Sequence, residues 1–252
     1  MPRTIVITGA ASGIGKATAE LCRAQGDTVI GVDLAGTDIA ADLSTPAGRR
    51  AMVEAVERMA PGGIDGLLAG AGVSRPDPIT IAVNYHGAVA TLDGLRPLLA
   101  RSAKPRAVAI CSTAAFLPGN DAVVEACLTQ DEASALAACA EAPLSAYPDS
   151  KKALSLWLRS AAVQPDWAGA GISLNGIAPG VVLSPMTTPL FDDPAMVEAI
   201  GRSNPIVTPG YAQPEELAEV IRFLLTVETP YLLGQILFVD GGSDALLRPR
   251  LV

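Results

Sequence analysis

Only one histidine, His86, stands in the 252 residues, and the four cysteines, Cys22, Cys111, Cys127 and Cys139, have no C-x-x-C spacing. Zinc sites need clusters of such ligands and disulfide frameworks need paired spacings, so neither a metal nor a disulfide is expected. Cys111 with His86 as its base is a conceivable nucleophile. It lies beside the apolar run "AVAI", however, where a cysteine packs as a small hydrophobe. Positive charge is also scarce: 18 Lys and Arg against 26 Asp and Glu leave a net charge of -8. Phosphate-rich partners call for basic surface, which argues against nucleic acid and anionic membranes. Apolar runs are broken by Gly, Pro or charge well short of the ~20 residues of a membrane span. The opening "MPRTIVITGAASG" passes from a strand's worth of apolar residues directly into a glycine loop, without a signal-peptide pattern. A cytoplasmic protein acting on a small neutral or weakly charged ligand is expected.

What the chain does have is apolar residues, 50% of the total with only 17% charged, enough for a substantial core in one large domain. Short apolar runs at 4–8, 28–33, 64–72, 106–112, 172–178 and 235–240 read as strands. They alternate with helical patterns at 13–25, 46–60, 78–100, 146–163 and 214–225. This order predicts an α/β fold of Rossmann type: a doubly wound, mostly parallel sheet with helices on both faces. Two segments interrupt the rhythm. Residues 117–145 carry alanine-rich helical signal between prolines, and residues 183–213, with five prolines, read as a flap with short helical pieces. Long excursions at strand ends often wall a ligand site. A surface or subunit-contact role is the alternative for 117–145.

"TGAASGIG", Thr8 to Gly15, lies between the first strand and the first helix. Gly9 allows a sharp turn, Gly13 lets the backbone approach a diphosphate, and Gly15 lets the helix pack close, while the helix's free N–H groups meet the phosphate charge. Asp33 closes the second strand at the distance expected of a ribose-binding carboxylate. It would repel a 2'-phosphate, and Ser12 and Leu34 offer no cation to bind one, so NAD is favoured over NADP, with Lys16 the nearest positive charge. Without the preceding loop, Asp33 could equally be an exposed strand-end carboxylate.

"SAYPDSKKALSLW" places Tyr147 and Lys151 four residues apart on one helix face. Ser145 is expected as N-cap, Pro148 is tolerable in the first turn, and Asp149 suits the positive end of the helix dipole. Lys152 points away and is expected at the surface.

The ordered set "TGAASGIG", "ADL" (41–43), "AGAG" (69–72), "VNYHGA" (83–88), "ICST" (110–113), "YPDSK" (147–151), "NGIAPGVV" (175–182) and "FVDGG" (238–242) resembles the short-chain dehydrogenases/reductases over almost the whole length. The resemblance implies that Tyr147 is the general acid/base for an alcohol or ketone oxygen. A free phenol of pKa ~10 needs the help of Lys151, which would also bind the nicotinamide ribose. Ser112 would polarise the substrate oxygen, and Asn84 would hold a water linking Lys151 to solvent. Each alone could be a strand-end serine or a locally bonded amide. The resemblance further implies dinucleotide contacts at Gly9, Ser12, Gly13, Ile14 and Gly15, at Asp33 and Leu34, at Asp42 and Leu43, at Ala71 and Gly72, and at Pro179, Val182 and Ser184. Ala69 and Gly70 depart from the family's asparagines, and Ser184 from its threonine.

Within the family, "VIGVD", "ADLSTPAGR", "VNYHGA", the "DGGSDALLRPR" tail and the long Ser112–Tyr147 spacing are most similar to the bacterial 3α-hydroxysteroid dehydrogenase/carbonyl reductase group. That likeness implies interconversion of a secondary alcohol and a ketone with NAD on a bulky hydrophobic substrate such as a steroid. Another aromatic or terpenoid alcohol, or dinucleotide binding without turnover, are the alternatives. Because 117–145 would cover a helix face that the family uses for tetramers, a homodimer is expected.

Overall fold

The computed structural model describes residues 2–250. Seven strands form one parallel sheet in the order β3-β2-β1-β4-β5-β6-β7. They are β1 (Thr4–Thr8), β2 (Thr28–Asp33), β3 (Ile39–Ala40), β4 (Gly66–Ala69), β5 (Arg106–Ile110), β6 (Ser173–Pro179) and β7 (Ile236–Val239). Each strand read from the sequence is present. The two-residue β3, too short for an apolar period, was not foreseen.

Alternation along the strands sends side chains to two cores. Ile5 and Ile7 of β1, with Leu68 and Val108, face α1 (Gly13–Ala24) and α9 (Pro214–Thr226). On α9, Leu217, Ile221 and Leu224 recur at helical spacing and are at most 1% exposed. Burying each contributes about 1.5–3 kcal/mol. Val6, Leu67 and Ala107 face the other way, against α2 (Pro46–Met59), α4 (Ala88–Leu99) and α7 (Ala146–Ala161).

The helix expected over 78–100 is present but not uniform. A short α3 (Ile79–Ile81) passes through a π-helical segment, Ala82–Gly87, into α4. The segment 117–145 folds into α5 (Asp121–Leu128) and α6 (Glu132–Glu141), whose Val123, Val124, Cys127, Ala135 and Cys139 join the core. The flap contains α8 (Pro194–Ser203), and α10 (Ser243–Leu247) follows the sheet. Among the described residues no helix is long and apolar enough to cross a membrane.

Strand order reverses between β1 and β4, so the chain leaves the carboxyl ends of these paired strands in opposite directions. Ligands of open α/β sheets bind in the crevice at such a reversal.

Candidate active site

A cleft of about 310 Å³ runs along these carboxyl ends, a size suited to a small organic ligand. At its first wall the chain leaves β1 by a turn that only glycine can make. Gly9 has φ +76°, and a Cβ there would lie 2.8 Å from the Gly70 carbonyl oxygen. The Gly15 position is closed by the same turn, since its Cβ would lie 2.1 Å from the Gly9 carbonyl oxygen. Gly15 therefore lets α1 pack on the turn itself, rather than on the sheet face. Ser12 occupies the N-cap position of α1 without capping it through its side chain. Thr8, fully buried, accepts from the Gly70 and Ala71 N–H groups at 3.1 and 3.2 Å, binding the ends of β1 and β4 together under the cleft.

Asp33 stands at the rim, its Oδ2 accepting from Ala11 N at 2.9 Å and its Oδ1 from Leu34 N at 2.7 Å. Leu34 is exposed beside it. Asp42 accepts from both the Oγ and the N–H of Ser44, and these bonds hold its carboxyl below the usual carboxylate range. Leu43 is buried, and its carbonyl accepts from Arg49 Nε at 2.8 Å.

The inner end is built differently. Lys151 is 4% exposed and donates from Nζ to the Ile110 carbonyl at 2.7 Å, at the end of β5. Its ammonium lies 5.8 Å from the Tyr147 ring centroid. Burial pulls its pKa down to about 8. Burial likewise pushes the Tyr147 phenol above its usual value of 10, with the Ser112 hydroxyl acting the other way. Ser112 is itself buried and accepts from Ala114 N at 3.1 Å. Asn84 sits in the π-helical segment, a distortion that recurs at functional sites. Its Oδ1 accepts from Val73 N at 2.8 Å, and its Nδ2 donates to Val73 O and Ser150 Oγ. Those bonds reach another loop and helix, so a purely local role for the amide is ruled out. Gly72 faces both groups: a Cβ there would be 3.2 Å from Asn84 Oδ1 and 3.8 Å from Lys151 Nζ. Pro179, Val182 and Ser184 also line the cleft, as do Ile14 and Gly13, where a Cβ would lie 3.5 Å from Ser184 Cβ.

The family model for enoyl-(acyl carrier protein) reductase matches residues 9–244. The chain is 35% identical over 254 residues to the 3-alpha-hydroxysteroid dehydrogenase/carbonyl reductase of Comamonas testosteroni, covering 97% of this chain and 98% of that one. It belongs to the short-chain dehydrogenases/reductases. The cis-4-hydroxycyclohexanecarboxylate dehydrogenase of Sinomonas cyclohexanicum is 33% identical over 268 residues, with 97% of each chain covered. In three dimensions the chain is similar to the 3-alpha-hydroxysteroid dehydrogenase of Pseudomonas sp. B-0831 complexed with NADH, with a TM-score of 0.91, 43% identity, and 99% and 100% of the two chains covered.

In this short-chain dehydrogenase/reductase, residues 117–145 contribute nothing to the cleft wall. They pack behind it. Asp149, 1% exposed, accepts from Asn120 N and Ser145 Oγ, and Gly119 is forced because a Cβ there would lie 1.9 Å from Asp149 Oδ1. Ser145 therefore stands at the N-cap position but spends its hydroxyl on Asp149 and the Ala142 carbonyl, not on the helix's own N–H groups. Lys152 pairs with Asp121 at the surface.

Arg49 holds the back of the site. Its guanidinium binds Glu132 of α6 through both oxygens at 2.7 and 2.8 Å, and donates to the Leu43, Ser44 and Ala82 carbonyls. Sequence reasoning missed Arg49, and read Asp149 only as a partner of the helix dipole and not as the buried anchor of 117–145, though both had a signal. Arg49 shares the buried stripe of α2 with Met52 and Val56, and Asp149 lies on that of α7 with Ala146 and Ala153. A charged residue on an apolar stripe needs a partner. Thr187, missed as well, accepts from Ser184 N at 3.0 Å and shapes the start of the flap. Cys111 and His86 are both buried, and burial pushes the Cys111 thiol up, which suits packing rather than attack. Among the described residues no group of three or more His, Cys, Asp or Glu side chains is placed to hold a metal ion.

Proposed function

We propose that this enzyme interconverts a secondary alcohol and a ketone with NAD, on a bulky hydrophobic substrate such as a 3α-hydroxysteroid. The observation that carries the reading is the meeting of Tyr147, Lys151 and Ser112 at the inner end of a cleft whose outer end is the glycine turn. The cradle suits a dinucleotide, because the Gly9 and Gly15 positions have no room for a Cβ and Asp33 keeps lone pairs for ribose hydroxyls after its two backbone bonds. When bound, the dinucleotide supplies hydride acceptance or donation. Ser112 donates to the substrate oxygen and orients it. Tyr147 takes the carbinol proton during oxidation and returns it during reduction. Lys151 brings a positive charge under the phenol and holds the nicotinamide ribose. Asn84 Oδ1, with one backbone bond made, can hold a water that passes the proton onward.

The preference for NAD rests on the carboxylate of Asp33, and is supported by the likeness to an NADH-bound structure. The steroid reading rests on the 3-alpha-hydroxysteroid relatives. A smaller alicyclic alcohol is the second reading, supported by the likeness to a hydroxycyclohexanecarboxylate dehydrogenase. A cytoplasmic homodimer remains part of the proposal, because α5 and α6 cover α7 and the helices before it; a tetramer in light scattering would count against it. The deciding experiment is a screen of NADH formation at alkaline pH, where the phenol ionises, across hydroxysteroids, aromatic alcohols and cyclic terpenols. Oxidation of hydroxysteroids above the others is expected. No turnover of any alcohol or ketone would leave only a dinucleotide-binding protein.

A further inference from the structure

The cleft has two cations, Lys151 and Arg75, and only the first is engaged. Arg75 lies in the loop between β4 and α3 and lines the cleft together with Ile79 and with Met186 of the flap. Its backbone is clamped from both sides by one fully buried hydroxyl. Thr80 Oγ1 accepts from Arg75 N at 3.1 Å and donates to Arg75 O at 2.8 Å. The nearest carboxylate in sequence, Asp77, is turned away to accept from Ile79 N at 2.8 Å. The guanidinium is exposed and has no ion pair among the described residues, and Arg75 is the one arginine among them that lines the cleft. The other charges of the cleft, Asp33 and Asp42, belong to its outer end. A planar guanidinium on a fixed backbone, beside apolar side chains, matches a carboxylate carried on an apolar body.

We propose that Arg75 selects substrates bearing a carboxylate away from the carbinol: a ring alcohol with an acid group at its far end. This rests on the alcohol/ketone reading of the cleft. The body of the substrate lies against Ile79 and Met186, the carbinol reaches Ser112 and Tyr147, and the acid group stays at the mouth, where solvation keeps the gain modest.

The test compares the wild-type protein with Arg75→Gln and Arg75→Lys on two matched pairs. One is cis-4-hydroxycyclohexanecarboxylate and its carboxamide; the other is a 3α-hydroxysteroid with a side-chain carboxylate and its carboxamide. Wild type should favour the carboxylate of at least one pair by about threefold in kcat/KM, through KM, and less so in high salt. Arg75→Gln should bring that ratio to about one and Arg75→Lys should restore part of it. An equal ratio in wild type, or a ratio untouched by Arg75→Gln, overturns the proposal. So does weakened NADH binding in Arg75→Gln, which would assign the guanidinium to a cofactor phosphate. Titration of the protein–NADH complex with the same compounds, read by NADH fluorescence, separates the two readings. If neither pair is turned over, the ratio of binding constants alone decides on Arg75, and the alcohol/ketone reading stands or falls with the wider screen of alcohols.

Discussion

At the outer end of the cleft, Asp42 is exposed and Asp33 half-buried, and they are held by Ser44 and Leu34 N close in sequence and by Ala11 N 22 residues away. At the inner end, Lys151 and Ser112 are 4% and 8% exposed, and Lys151 is held by a carbonyl 41 residues away. The first arrangement costs little to build, because water solvates whatever the protein does not. The second keeps an ammonium out of water and a phenol half-buried beside it, and shifts the pKa of each, which requires the whole fold. In the proposed function, recognition therefore draws on groups at the solvent-facing rim, and proton transfer on groups that the fold holds largely out of water.

The comparison is broken most sharply at Tyr147. Tyr147→Phe removes only an oxygen, and the proposed role predicts a loss of about 10³-fold or more in kcat with NADH binding retained. Stopped-flow turnover and fluorescence titration check both halves, and unchanged turnover would eliminate the acid/base assignment. A second test lies in stability. Lys151 titrates near 8 when folded and near 10.5 when unfolded, so between those values the unfolded chain holds more protons. Wild-type stability should therefore rise with pH across roughly 8 to 10.5, with the cost fully present below 8. The span is on the order of 3 kcal/mol at most. Lys151→Met should flatten that rise in denaturant melts taken through the window, and parallel curves would show that the lysine is not buried in charged form.

Effects at the outer end should be smaller. Asp33→Ala is expected to weaken NAD by about tenfold and NADP far less, because two hydrogen bonds are lost in one case and a repulsion in the other. Equal loss would remove the specificity argument. The smallest effect belongs to Glu132, whose side chain is 27% exposed. Glu132→Gln should cost about 1–2 kcal/mol in stability and raise the KM for NAD a few-fold with kcat unchanged, since Arg49 would hold the Leu43 and Ser44 carbonyls less firmly. A fall in kcat instead would show that α6 acts on the inner end.

The strands and the main helices were legible because their signals are local. Apolar runs of five or six residues, a glycine turn and a helical stripe each depend on neighbours a few positions apart. The candidate residues were legible for the same reason: the spacing of Tyr147 and Lys151 is one helical turn, and Asp33 closes a strand that follows the glycine loop. The π-helical segment at Asn84 was not, because its apolar spacing reads as an ordinary helix and the bonds of Asn84 go to Val73 and Ser150, 11 and 66 residues away. Nor was the placement of 117–145, whose composition fits a cleft wall as well as a buttress.

By itself, then, the amino-acid order determined the sheet, its helices, the glycine cradle and the tyrosine–lysine pair, all products of short-range pattern. Only the tertiary structure decided that α5 and α6 stand behind the cleft, that Arg49 joins α6 to the Leu43 loop, and that Arg75 has no ion pair among the described residues. Those outcomes turn on which charged group meets which across tens of residues, and no local spacing records that.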